Sequence, residues 1–214
     1  MPLLLLDLDN TLIDRAAAFR HWAGRFARAH GVPDAVEWLV AADGDGFEPR
    51  ERVADRIRAH VGLGEATTQA VLDELRAGLV EEIRIDPAVP EALDAAAAAG
   101  WTPVVVTNGT VHQQERKLRH TGLDRHVAGW VISEAAGVKK PDPRIFRLAA
   151  EQTGQALSGA WMIGDSAEAD IGGAHRLSIP SAWLHRGREW SQRDFRPTVV
   201  SDSCPAAIRS VLAG

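Results

Sequence analysis

The sequence lacks several features that would place it in a specialised class of protein. Its 214 residues include a single cysteine, Cys204, so no disulfide can form within the chain, which suits a reducing cytoplasm. The leucine run Leu3–Leu6 is far too short to span a membrane, and it has no basic flank of the kind found in signal peptides. The net charge of −5 gives no indication of nucleic-acid binding. We therefore expect a cytoplasmic protein that binds neither membranes nor nucleic acids. We further expect a monomer or a homodimer.

The composition is that of an ordinary globular protein. Hydrophobic residues make up 45% of the chain and charged residues 25%, which are typical values for a folded domain. A length of 214 residues suffices for one large domain, or for a domain that carries an inserted subdomain, with a sizeable core.

Hydrophobic periodicity divides the sequence into two blocks. Leu3–Leu6 is apolar without alternation, which is typical of a strand buried on both faces of a parallel sheet. The stretch that follows has only helical periodicity, and from Asp86 onward helices alternate with strands. Such alternation predicts an α/β fold with a parallel sheet and helices on both faces. We therefore predict a sheet domain formed by residues 1–14 and 86–214, and an all-helical insertion formed by residues 15–85.

The same periodicity places the individual elements, with a turn at Asp43–Gly46. The predicted strands are 3–6, 101–106, 127–132, 160–163, 180–184 and 197–200, and the predicted helices are 15–30, 34–42, 48–60, 65–83, 90–99, 111–120, 143–152, 167–177 and 205–212.

Two aspartates close the first strand. Asp7 and Asp9 are two positions apart, so an extended backbone can aim both side chains into one crevice. Carboxylates are costly to bury unless they are paired or bind a cation, and open α/β folds bind ligands at the carboxyl edge of the sheet. Oxygen ligands of this kind suit Mg²⁺. The alternative interpretation is a strand followed by an acidic turn.

Two further polar clusters stand near the ends of later elements. Thr107 and Asn108 follow the second predicted strand, where a hydroxyl and free N–H groups can hold a phosphate oxygen. An ordinary turn also uses Asn-Gly. Lys140 stands just before a predicted helix, where it can neutralise a phosphate. The alternative is an exposed basic loop shared with Lys139.

The fourth cluster contains two more aspartates. Asp165 stands where the strand at 160–163 ends, and Asp170 lies about one and a half helical turns further on. A helix N-cap is the structural alternative for Asp165. Each cluster alone matches many unrelated proteins, so their joint occurrence in this order carries the argument.

Taken together, the four clusters closely resemble the motifs of the haloacid dehalogenase (HAD) superfamily of hydrolases. They read Asp7-Leu8-Asp9-Asn10-Thr11, Thr107, Lys140-Pro141 and Gly164-Asp165-Ser166…Asp170. The resemblance covers essentially the whole chain, and the helical block matches the mobile cap of the subfamily that contains phosphoglycolate phosphatase and β-phosphoglucomutase. It implies a Rossmann-like sheet domain with an inserted helical cap. It also implies a Mg²⁺-dependent phosphatase that acts on a small phosphorylated metabolite.

The resemblance also implies a role for each motif residue. Asp7 is the expected nucleophile, which forms an aspartyl-phosphate, and Asp9 is the expected general acid and then base. The metal is expected to bind the side chains of Asp7 and Asp165 and the backbone carbonyl of Asp9. An acid two residues after the nucleophile favours phosphoester cleavage over dehalogenation, because a departing halide needs no proton.

The remaining motif residues have expected roles around the phosphate. Thr107, Lys140 and the backbone N–H of Asn108 are expected to hold the phosphoryl oxygens. Asp170 is expected to orient Lys140 or a metal-bound water without binding the metal itself.

Three other functions use the same residues. A sugar phosphomutase of the same superfamily needs a phosphoenzyme that outlives the reorientation of a bisphosphate intermediate. A signalling receiver domain also places acids, a hydroxyl and a lysine around Mg²⁺, but its phosphorylated aspartate lies on a later strand and it has no cap. A non-catalytic binding protein is disfavoured by four intact motifs.

The substrate is not named by the sequence. In the helical block, Trp22 belongs either to the core or to a surface that stacks on the substrate. Arg15, Arg25 and Arg50 are candidate contacts for an anion, although solvated arginines have the same appearance.

Overall fold

The chain forms two compact units. The structure is a computed structural model that describes residues 1–214. One unit contains residues 1–13 and 85–214, and the other contains residues 14–84. The first holds the whole sheet, and the second is built of helices alone.

A six-stranded sheet is the centre of the first unit. Its strands are β1 (Leu3–Leu6), β2 (Thr102–Thr107), β3 (Gly129–Ile132), β4 (Trp161–Gly164), β5 (Ser181–Leu184) and β6 (Val199–Ser201). In space they are ordered β3-β2-β1-β4-β5-β6, and every neighbouring pair is parallel. The predicted α/β fold with a parallel sheet is thus confirmed, and β1 lies between β2 and β4.

Ten α-helices complete the two units. They are α1 (Arg15–Ala29), α2 (Val36–Asp43), α3 (Arg50–Val61), α4 (Thr68–Glu82), α5 (Ala88–Ala98), α6 (Val111–Thr121), α7 (Ser133–Ala136), α8 (Pro143–Thr153), α9 (Gly173–Arg176) and α10 (Cys204–Leu212). None of them is long and apolar enough to cross a membrane.

Both faces of the sheet are covered, as the unbroken leucine run predicts. Leu3 and Leu5 share one core cluster with Phe146 of α8. Leu4 and Leu6 point to the opposite face and are equally buried. Helices α5 and α10 pack against each other, α5 against β2 and α10 against β4 and β5.

Two predicted elements differ from the structure. The helix predicted at 167–177 is a π-helical turn at Ala167–Gly172 that leads into the short α9. A glycine pair within it disfavours a regular helix. It also permits close packing, because a Cβ on Gly173 would lie 2.5 Å from Cζ of Phe146. The short helix α7 was not predicted, since its four residues are too few for a periodic pattern.

The second unit is a helical cluster with an aromatic centre. Trp22 of α1 is 2% exposed, and its ring lies 5.2 Å from that of Phe19 and 4.9 Å from that of Phe26, measured between centroids. Helix α4 approaches so closely that a Cβ on Gly78 would lie 2.5 Å from Cδ1 of Trp22. Trp22 is therefore a core residue, and the alternative of a substrate-stacking surface is wrong.

A buried ion cluster in the second unit changes the interpretation of three predicted surface residues. Asp43, expected in a turn, is the last residue of α2 and accepts hydrogen bonds of 2.7 and 2.6 Å from Nη1 and Nη2 of Arg15. Arg50 donates a third. Burial alone would raise the pKa of Asp43, but the hydrogen bonds and charges of the two arginines outweigh it and lower the pKa. Arg15 and Arg50 thus bind the chain's own carboxylate.

The third candidate anion contact also has an internal partner. Nε of Arg25 lies 2.5 Å from Oε1 of Glu82, at the end of α4. This pair is partly exposed, with half of the arginine side chain accessible.

Candidate active site

The predicted site residues gather at one edge of the sheet. Asp7 and Asp9 follow β1, Thr107 ends β2, and Asp165 follows β4. These strands are parallel neighbours, so their carboxyl ends meet at the same edge. The backbone N–H of Asp7 still donates to the carbonyl of Ile163 on β4, at 3.0 Å. The last hydrogen bond between β1 and β4 therefore fixes the backbone position of Asp7, the first residue of the site.

Three buried carboxylates converge at this edge. Asp7, Asp165 and Asp170 each offer an oxygen atom, and these oxygens all lie within 4.8 Å of one another. All three residues are buried. Burying like charges together is costly without a cation, and hard oxygen donors are the ligands that Mg²⁺ prefers. The donor set therefore fits a divalent metal.

The π-helical turn after β4 brings Asp170 into this cluster. Oδ2 of Asp170 accepts a hydrogen bond of 2.9 Å from the backbone N–H of Ser166. The carboxylate also lies directly against the end of β4, because a Cβ on Gly164 would come within 2.2 Å of Oδ2. A side chain at position 164 would therefore push Asp170 out of the cluster.

Lys140 connects two of the three carboxylates. Its Nζ lies 2.6 Å from Oδ1 of Asp7 and 2.7 Å from Oδ1 of Asp170, and the residue is 3% exposed. Burial alone would lower the pKa of Lys140, but the charges of Asp170 and Asp7 outweigh it and raise the pKa. The neighbouring Lys139 is exposed, so Lys140 is not part of an exposed basic loop and only one of the two lysines enters the site.

Asn108 holds the backbone of Lys140 in place. Its Oδ1 accepts a hydrogen bond of 2.8 Å from the N–H of Lys140, and its Nδ2 donates one of 3.1 Å to the carbonyl of Lys140. The side-chain amide is thus used within the protein. A contact from Asn108 to a phosphate would come from the backbone N–H, as the sequence analysis expects.

The site is short of positive charge. Burial has the largest effect on the pKa of Asp7. Together with the charges of Asp170 and Asp165 it raises this pKa to about 8, although Lys140 acts in the opposite direction. The ion pair with Lys140 therefore offsets only part of the cost of a charged Asp7, and a protonated carboxyl group would be a poor nucleophile. A divalent cation in the cluster would favour the ionised form.

Asp9 is surrounded by a network of side chains outside the four sequence motifs. Nζ of Lys117 lies 2.8 and 2.7 Å from the two carboxylate oxygens of Asp9. Nε2 of Gln114 donates to Oδ2 of Asp9 at 3.0 Å and to Oγ1 of Thr107 at 2.7 Å. The available signal was the position of these residues on α6, where Gln114, Lys117 and Leu118 share one buried face.

Arg188 and Trp183 were also missed, and both contact Asp165. Nη2 of Arg188 donates to the backbone carbonyl of Asp165 at 2.7 Å and to its Oδ2 at 3.0 Å. Nε1 of Trp183 donates to the same carbonyl at 2.8 Å. Neither residue lies in a recognisable motif. Trp183 contacts Asp165 because β5 pairs with β4, and Arg188 reaches it from the segment after β5. No local pattern reveals either contact.

Comparison with known proteins identifies the family. Residues 1–177 match the family of haloacid dehalogenase-like hydrolases. The phosphoserine phosphatase of Thermus thermophilus is 37% identical, with 87% of this chain and 90% of that protein covered. The phosphoglycolate phosphatase of Agrobacterium fabrum is 30% identical, with 96% and 90% covered. The chain therefore belongs to the haloacid dehalogenase-like hydrolases, and it is an enzyme.

Solved structures agree on the fold. The HAD-hydrolase YfnB of Bacillus subtilis, bound to magnesium, superimposes with a TM-score of 0.77 at 22% identity, over 98% of each chain. Structures of 2-haloacid dehalogenases share the fold as well. The fold therefore does not separate phosphoester hydrolysis from dehalogenation, and that choice depends on the site.

Proposed function

We propose that this hydrolase is a Mg²⁺-dependent phosphatase that cleaves small phosphomonoesters through an aspartyl-phosphate on Asp7. The observation that carries the proposal is the ion pairing of Lys140 with Asp7 and Asp170 inside the cluster of three buried carboxylates. The buried lysine can neutralise part of the charge of a dianionic phosphate, and the buried carboxylates can bind a divalent cation beside it.

Asp7 is the nucleophile in this proposal. Its carboxylate attacks phosphorus, the bond to the leaving oxygen breaks, and the phosphoryl group is held on Asp7 until water releases it. Lys140 reduces the repulsion between the Asp7 carboxylate and the incoming anion. Asp7, Asp165 and the backbone carbonyl of Asp9, together with the nearby Asp170, would hold Mg²⁺, and the ion would supply further charge neutralisation.

The other residues bind the phosphate or transfer the proton. Thr107 accepts a hydrogen bond from Gln114, so its own hydroxyl hydrogen is left to donate to a phosphoryl oxygen. The backbone N–H of Asn108 is a second donor. Asp9 carries a proton when the ester binds and gives it to the leaving oxygen. As the carboxylate it then takes a proton from the attacking water, which restores the acid.

Asp9 distinguishes this reaction from dehalogenation. A departing alkoxide needs a proton and a departing halide does not. In Asp9→Asn the backbone carbonyl remains for the metal, so metal binding should persist. Turnover of alkyl phosphates should fall by about 10²–10⁴-fold, the usual contribution of acid–base catalysis. With an aryl phosphate the phosphorylation step should slow less, because its leaving group needs protonation less.

The test is phosphate release from a panel of phosphorylated metabolites, with Mg²⁺ and with EDTA. O-phosphoserine and phosphoglycolate belong at the head of the panel, because the two relatives are named for these esters. We expect activity with Mg²⁺ only, and a phosphoryl group trapped on Asp7. Unchanged turnover in EDTA, full activity of Asp9→Asn, or release of halide from 2-haloacids without phosphatase activity would each refute the assignment.

The same panel separates the alternatives. Conversion of a sugar 1-phosphate into its 6-phosphate would identify a phosphomutase, and a phosphoryl group on a later aspartate would identify a receiver-like protein. We further propose that residues 15–85 act as a mobile cap that excludes bulk water and selects the substrate. A cytoplasmic location and a monomeric or homodimeric state remain predictions of the sequence.

A further inference from the structure

We propose that Gln114 and Lys117 are positioning residues that set the orientation of Asp9 for its proton transfer to the leaving oxygen. The inference rests on the proposed function, because it concerns the residue that serves as acid and base there. Neither residue belongs to the four motifs. The structure places both on α6, three positions apart and therefore on one face of the helix.

The two side chains hold Asp9 through both of its carboxylate oxygens. Lys117 contacts both oxygens, at 2.8 and 2.7 Å, and Gln114 adds a third hydrogen bond of 3.0 Å to Oδ2. Lys117 also donates to Oε1 of Gln114 at 2.8 Å. Each of the three side chains is thus bonded to the other two, and this closed arrangement leaves the carboxylate little freedom to rotate.

Gln114 also links Asp9 to the expected phosphate contact. Its Nε2 donates to Oγ1 of Thr107 at 2.7 Å as well as to Asp9. The acid and the hydroxyl that would bind a phosphoryl oxygen are therefore held by one amide group. Correct orientation of reacting groups is worth a large part of an enzymatic rate enhancement. Because Gln114 binds both side chains, it fixes the position of the Asp9 carboxylate relative to the Thr107 hydroxyl.

Burial argues against a merely structural pair. Gln114 and Lys117 are 2% and 5% exposed, and their neighbour Leu118 shows that the same helix face accepts an apolar residue. Replacing a buried ion pair with apolar residues often leaves stability unchanged or raises it. Apolar residues could therefore pack α6 at these positions, whereas hydrogen-bond donors are required to hold the Asp9 carboxylate.

The experiment compares leaving groups. Lys117→Met removes the charge and keeps most of the side-chain volume. We expect kcat/KM for alkyl phosphates to fall by about 10-fold or more, a share of the acid–base contribution, and kcat/KM for p-nitrophenyl phosphate to fall by less than about 3-fold. Gln114→Met should lower kcat/KM for both esters, and more for alkyl phosphates, because this variant also removes the hydrogen bond to Thr107. Arg119→Met, in an exposed ion pair with Glu115 on the same helix, is the matched control and should leave both rates unchanged.

A double-mutant cycle with Asp9→Asn gives the decisive readout. If Lys117 acts through Asp9, then Lys117→Met should change the rate of the Asp9→Asn enzyme by less than about 2-fold, because the group that it positions is already gone. Melting temperatures identify variants that fail to fold. Lys117→Arg retains the charge and should keep most of the alkyl phosphatase activity. This variant tests the inference even if the methionine variant fails to fold.

The outcomes separate this inference from the function on which it rests. If Asp9→Asn is impaired on alkyl phosphates but Lys117→Met loses both ester types equally, or its effect adds to that of Asp9→Asn, the phosphatase assignment stands and the positioning role is wrong. If Asp9→Asn is unimpaired, or the wild type cleaves no phosphoester, both fail.

Discussion

The buried ion cluster of the helical unit allows one prediction to be worked out from the structure. In Asp43→Asn the side chain keeps its shape but loses its charge, and the new amide group points hydrogen-bond donors at guanidinium groups. The side chains of Asp43 and Arg15 are only 3% and 2% exposed, so Arg15 would remain buried as an unpaired cation. Removing one partner of a buried ion pair costs about 3–5 kcal/mol. For a chain of this size that corresponds to a fall in melting temperature of about 6–20 °C.

The assay is urea unfolding at neutral pH, followed by circular dichroism, since the loss belongs to a helical unit. Glu37→Gln is the matched control. Glu37 also pairs with an arginine of α1, Arg20, through two hydrogen bonds of 2.5 and 3.3 Å, but both side chains are at least half exposed. Solvent and salt weaken such a pair, so we expect little change in the midpoint of unfolding.

The pH dependence of stability provides a second readout. Because the arginines lower the pKa of Asp43, its contribution to stability is present above the pKa of the unfolded chain and is lost as the pH falls through the lower folded value. The difference between the wild type and Asp43→Asn should therefore shrink in acid. A loss no larger than that of Glu37→Gln, or a difference that does not change with pH, would refute this reasoning.

Three further predictions concern the sheet unit. Because burial and neighbouring carboxylates raise the pKa of Asp7 to about 8, Mg²⁺ must displace a proton below that pH, and its affinity should rise as the pH approaches about 8. Calorimetry in buffers of different ionisation enthalpy measures the released proton, and binding that is independent of pH and buffer between about pH 6 and 8 would contradict the prediction. In Gly164→Ala the new Cβ would lie 2.2 Å from Asp170, so the variant should lose about 1–3 kcal/mol of stability through overpacking and bind Mg²⁺ more weakly. Unfolding and metal titrations measure the two effects. Normal values for both would show that the close approach of Asp170 is not what requires a glycine there. Burial raises the pKa of the Cys204 thiol to about 12, so a thiol reagent should react slowly with the native protein and quickly in denaturant; rapid stoichiometric reaction without denaturant would be inconsistent with this.

The sequence was sufficient for the sheet and for the residues at the strand ends. Asp7, Thr107 and Asp165 each follow an apolar strand, and strand ends in a parallel sheet meet at one edge whatever the details of packing. Both the strand signal and the polar residue after it are local in sequence. Local patterns of this kind can be read without knowing the fold.

The side chains that contact these site residues could not be predicted in the same way. Lys117 lies on a helix and reaches Asp9 only because α6 packs where it does, and Arg188 reaches Asp165 from the segment after β5. Asp43 finds Arg15 across 28 positions of sequence. Such pairings depend on tertiary packing. The only trace they leave in the sequence is a polar residue on an otherwise buried face, as at Gln114.

The central place of β1 in the sheet bears on how the protein folds during its synthesis. Leu5 pairs with Val104 on one side and with Met162 on the other, so β1 leaves the ribosome before both of its neighbours and must wait for them. Contacts between distant residues form slowly, whereas helices that contact their sequence neighbours fold early. The helical unit can therefore be complete while β1 is still unpaired. Asp7 then stays apart from Asp165 until β4 has been translated, so a nascent chain can carry a folded helical unit before it carries an assembled site.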